Sequence, residues 1–185
     1  MKRPYVLLAF IAGIAPTAQA TCSSPVVVEM RTTSPLKAAE PDASFIVRVH
    51  QNGCLESHRP HYDTQAGTLQ GHLDSKSLIS LQSQIRASGV ALIRPEELRS
   101  ELDAEQAQKG QQPGAKTLWR VSDGDLIELR VPANEKLEQA KTIRWRTLDD
   151  DLLNHPDHPQ LLAIRAVQQL ILEVQDKAVA REATR

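Results

Sequence analysis

The chain has 185 residues, with 22 Lys+Arg against 23 Asp+Glu and a formal charge of −1 at pH 7. Near-neutrality argues against non-specific binding to nucleic acid, which depends on neutralising many phosphates. Two each of Phe, Trp and Tyr are too few for a base-stacking platform, so the core must come mainly from Leu, Ile and Val.

The opening "MKRPYVLLAFIAGIAPTAQA" places Lys2 and Arg3 before an apolar run and ends in small residues suited to a signal peptidase. Residues 1–20 are therefore expected to be a cleavable signal peptide, with the mature protein periplasmic or secreted. The apolar run is short for a bilayer span, which needs roughly 20 residues, and no membrane attachment is expected after cleavage. Losing Lys2 and Arg3 takes the charge from −1 to −3. Cys22 lacks a lipobox, since Gln19 and Thr21 occupy its key positions. An oxidising compartment instead favours pairing Cys22 with Cys54, the only other cysteine. Closing that loop is worth about 3 kcal/mol in the chain-entropy model.

Residues 21–42 read as an N-terminal tail carrying an edge strand near Val26–Val28. Residues 43–178 read as a single α+β domain, and 179–185 as a flexible C-terminal tail. Within the domain, "SFIVRVH" alternates with a strand's period of two, and Asn52-Gly53 supplies a hairpin turn. "GTLQGHL" extends that sheet. Asp74 or Ser75 caps a helix in which Leu78, Leu81 and Ile85 recur on one side, and Gly89 sits at its C-terminal stop. A second helix starts at Pro95 and has a thin apolar side, Leu98 and Leu102, which predicts an exposed helix. "TLWRVSDGDLIELRV" reads as a hairpin about Asp123-Gly124, followed by a strand at "TIRWRTL". Trp145 is expected to pack against the last helix. That helix carries Ala163, Val167, Leu170, Ile171 and Val174 on one stripe. The whole predicts antiparallel strands in two groups, helices between them, and a C-terminal amphipathic helix on the sheet.

Four histidines invite a metal reading: His58 and His61 in "HRPH", His155 and His158 in "HPDHP". Zinc takes about four such donors. Pro60, Pro156 and Pro159 nevertheless suit turns and helix starts, and the 155–159 segment reads better as punctuation before a helix. "DDD" at Asp149–Asp151 lacks an EF-hand's spacing and predicts a solvated acidic turn. Arg144 and Arg146 share one strand face and could grip a carboxylate or phosphate. The period-two pattern also fits a plain solvent-facing row. No nucleophile elbow, zincin motif, phosphate loop or dinucleotide fingerprint is present, so neither catalytic residues nor a cofactor are expected.

The strand and turn "FIVRVHQNGC", the helix "LISLQSQI", the segment "LWRVSDGDLIELRV" and the closing "TIRWRTL…LLAIRAVQQLILEV" together resemble the layout of emfourin-type small bacterial inhibitors of metalloproteases. The resemblance implies an inhibitory contact near the turn, at Asn52 and Gly53, although Cys54 departs from the family's glycine-rich turn. The sequence thus predicts a non-enzymatic domain that binds another exported protein. A metal- or small-anion-binding protein is the alternative, and a small hydrolase a second one.

Overall fold

The structure is a computed structural model describing residues 22–111, 124–133 and 139–183. Six strands, β1 (Val26–Thr33), β2 (Ser44–His50), β3 (Cys54–Arg59), β4 (Gly67–His72), β5 (Leu126–Pro132) and β6 (Ala140–Arg146), form one sheet. Every neighbouring pair is antiparallel, in the order β4-β3-β2-β1-β5-β6. Four helices complete the α+β fold: α1 (Ser75–Ala87), α2 (Pro95–Gly110), α3 (Leu148–Asn154) and α4 (Pro159–Ala183).

Alternation along the strands divides the sheet into two unlike faces. Val28, Met30, Val47, Val49, Leu55, Leu129 and Ile143 point to one side and are fully buried. Leu81 and Ile85 of α1, Leu98 and Leu102 of α2, and Leu161, Ile164, Val167 and Ile171 of α4 close over them. Asp74 caps α1 by accepting the Ser77 N–H at 2.8 Å, and Gly89 follows the helix at φ +70°.

Several expectations are corrected. β1 is not an edge strand. It pairs with β2 on one side and β5 on the other, because Val28 and Met30 bury while Glu29 and Arg31 face out, the pattern an interior strand of a half-covered sheet requires. The two strand groups expected along the chain are present, β1–β4 and β5–β6 with α1 and α2 between them, and they share one sheet. β5 pairs with β1 and β6; the hairpin expected about Asp123-Gly124 falls on residues 112–123, which lie outside the described ones. The acidic run is no turn but the first turn of α3, where carboxylates suit the positive end of the helix dipole. The expected tail from residue 179 is helical as far as Ala183. Trp145 is covered by the Arg99 guanidinium of α2, 4.0 Å from the ring centroid.

Candidate partner-binding face

The second face of the sheet carries the charges. Five arginines, Arg31, Arg48, Arg130, Arg144 and Arg146, alternate there with Glu29, Glu56 and Glu128. Cross-strand register sets Arg48 between Glu56 and Glu29, and Glu128 between Arg31 and Arg144, so opposite charges lie side by side. Arg48 Nε donates to Glu29 Oε2 at 2.8 Å, and Arg144 Nε lies 2.6 Å from Glu128 Oε1. Arg31 sits more loosely, 3.8 Å from both Glu29 and Glu128. Two glutamates therefore serve three arginines.

Arg130 and Arg146 are exposed, and among the described residues neither guanidinium has a carboxylate partner. Arg144 pairs with Glu128 yet keeps 71% of its side chain exposed. Glu29, Arg31, Glu128, Arg130, Thr142 and Arg144 line a shallow depression of about 350 Å³. Guanidinium groups in such a row can fork onto incoming carboxylates or phosphates. Arg144 and Arg146 were legible in the sequence. Arg130 and Arg31 were not, because their membership depends on β5 and β1 pairing across nearly a hundred residues.

The turn residues are held by their own chain. Gly53 is buried at φ +84°, and a Cβ there would lie 2.3 Å from the Leu73 carbonyl oxygen. Asn52 Oδ1 accepts the Cys54 N–H at 3.1 Å, and its own N–H donates to Ser24 Oγ. Asn52 is exposed; Gly53 serves the close approach.

The histidine pairs have separate partners. His58 contacts Asp42 through Nε2, His61 donates its backbone N–H to the same carboxylate at 3.2 Å, and the His61 ring lies 3.3 Å from Glu40. The His58 hydrogen bond is the main reason the Asp42 carboxyl is held below its ordinary range. His155 and His158 bridge α3 to α4: His155 N–H closes α3 on Asp151, and the His158 carbonyl accepts from Leu162 N–H. Their rings meet α2, His155 Nδ1 at 3.0 Å from Glu105 and His158 Nε2 at 3.8 Å from Glu101. Among the described residues none of these four histidines belongs to a close group of three metal donors. One such group does exist, Cys22, His50 and Glu56, and its histidine is the last residue of β2, where the strand pattern carries no metal signal. Cys22 and Cys54 are disulfide-bonded, as the sequence implied.

No protein-family profile matches the chain, and no similar curated protein or solved structure was found.

Proposed function

We propose that the chain is an exported, non-enzymatic binding domain whose arginine-bearing sheet face docks an acidic segment of another protein. One observation carries the reading: among the described residues the sheet buries one face under helices and leaves the other exposed, with more arginines than its glutamates can pair. A solvated sheet face is ordinary in antiparallel folds. Here Arg130 and Arg146, without a carboxylate partner among the described residues, flank the exposed Arg144, which gives the face a local positive excess on an acidic mature chain. The disulfide fits an oxidising compartment, and no helix of the described residues is long and apolar enough to cross a membrane. Inhibition of a metalloprotease is the narrower form of the proposal, supported by layout resemblance alone.

The test is affinity capture from periplasmic and secreted extracts with the mature chain and with its Arg130→Glu/Arg144→Glu variant. The native face is expected to retain a specific protein at low salt and release it as salt rises. The double reversal should weaken capture by roughly tenfold or more, since like charges are costly at an interface. Equal capture by the variant would move the contact off this face. If the captured protein is a protease, its activity in the complex decides the narrower form.

A further inference from the structure

The disulfide lies beside His50 and beside Glu56, the glutamate of the charged face that sits opposite Arg48. Cys22 Sγ and donor atoms of His50 and Glu56 all lie within 4.8 Å of one another, and Cys54 Sγ is bonded to Cys22. Two sulfurs, an imidazole and a carboxylate thus share one corner of the sheet. β3 contributes Cys54 and Glu56 two residues apart, on one face. His50 ends β2, and Cys22 precedes β1.

His50 is held in the manner of a metal ligand. It is only 5% exposed, and its Nδ1–H donates to the Ser24 carbonyl at 2.6 Å. A carbonyl can only accept, so this bond places a proton on Nδ1 and leaves Nε2 as the ring atom turned to the cluster. Nε2 is hydrogen-bonded to Glu56 Oε2 at 3.3 Å. Glu56 is itself oriented, its other oxygen accepting from Gln70 Nε2 at 3.5 Å. A metal ion can take the place of the hydrogen between Nε2 and Glu56, and metal-bound histidines commonly donate their second N–H to a backbone carbonyl, as His50 does to Ser24.

We propose that this corner is a thiol-gated zinc site: the disulfide keeps it closed, and reduction converts Cys22, Cys54, His50 and Glu56 into four ligands. Zinc binds sulfur at about 2.3 Å and nitrogen or oxygen at about 2.0–2.2 Å in a tetrahedron, which sets ligands roughly 3.5 Å apart. The present group needs to contract by about 1 Å, on the same metal-ligand lengths, while the two sulfurs separate. Cys22 is half-buried and Cys54 is 1% exposed, so an incoming thiolate meets Cys22 first. A protein dithiol is the reductant. One of its thiolates attacks Cys22 Sγ, the Cys22–Cys54 bond breaks, and Cys54 leaves as a thiolate. The second thiol closes the reductant's own disulfide and releases the Cys22 thiolate. Two electrons have passed to the chain, the reductant is oxidised, and zinc takes both thiolates with no further redox change.

The test titrates Co²⁺ alone, as a coloured substitute for zinc, into the mature protein before and after reduction by a phosphine, with circular dichroism on the same samples. Reduced, folded protein should develop a thiolate-to-cobalt charge-transfer band at one equivalent, bleached by Zn²⁺; oxidised protein should not. His50→Gln, which can still hydrogen-bond Ser24 but offers no imidazole, should bind Co²⁺ at least tenfold more weakly. No band on reduction, an unchanged band in His50→Gln, or loss of the fold once the disulfide opens would each overturn the proposal.

Discussion

Asp151 shows how a single side chain can organise its surroundings from inside an acidic run. It is 5% exposed, and its Oδ2 accepts from Trp145 Nε1 at 2.9 Å, Arg99 at 2.9 Å and Thr147 Oγ1 at 3.2 Å. Arg99 also donates to the Arg146 carbonyl, so one guanidinium ties α2 to the end of β6 and the start of α3. Asp151→Ala would strand the indole N–H and the arginine. We expect it to cost about 3 kcal/mol in chemical denaturation, with Asp151→Asn costing less because an acceptor remains. Asp149, by contrast, is mostly exposed and pairs with Arg165. The sequence offers three identical residues, and only the α2–β6 contact, 52 positions distant at Arg99, decides which one is buried. At the other histidine pair, Asp42 gives a prediction in pH. Its carboxyl is depressed, so the Asp42–His58 contact stabilises above the ordinary carboxylate pKa and is lost as pH falls through the folded value. In His58→Ala the Asp42 carboxyl should titrate closer to its ordinary range, read by carbon-detected NMR.

At the scale of elements, what the sequence reveals depends on how local each signal is. α1 is legible because Asp74, Leu81, Ile85 and Gly89 lie within sixteen residues and cap, fill and end one helix. β1 is misread because "VVVEMRTT" follows a Ser/Pro-rich stretch, and its true partner on one side, β5, arrives about a hundred residues later. The stripe of α4 was half right: Val167 and Ile171 are buried, together with Leu161, Ile164 and Ala178, whereas Ala163, Leu170 and Val174 sit on its flanks. The shift of the buried stripe has a visible cause near the helix end. α4 crosses β4 where Gly71 meets Ala178, and a Cβ on Gly71 would stand 3.0 Å from the Ala178 Cβ and 3.1 Å from its carbonyl carbon. Gly71→Ala should therefore destabilise by about 1–3 kcal/mol, measured by thermal and denaturant melts. Ala178→Gly in the same chain should recover part of the loss, since the two positions share one contact.

For the whole molecule, the α+β class follows from the order of periodicities, but the candidate face does not. Arg144 and Arg146 announce themselves as neighbours on one strand. Their extension into a row with Arg130, Arg31 and Arg48 exists only once β1 lies between β2 and β5. The histidines mislead for the complementary reason: four conspicuous residues fall into two places, one pair beside Asp42 and Glu40, the other beneath α2. The donor group that does assemble contains one histidine from the end of β2, where nothing in the strand pattern signals a ligand, and a cysteine already committed to a disulfide.

The central position of β1 also dictates an order of assembly. β1 to β4 form a run of sequential antiparallel pairs, each joined to the next by a short connection, and β5–β6 is a second local unit. Short-range contacts form cheaply and early, while distant ones wait on loop closure. The β1–β5 seam, together with the helices that must fold down across it, is then the step that couples both halves. Until β5 arrives, β1 presents an open, partly apolar edge, the kind of surface on which chains exchange strands. A chaperone acting on this protein as it folds would have one well-defined thing to shield.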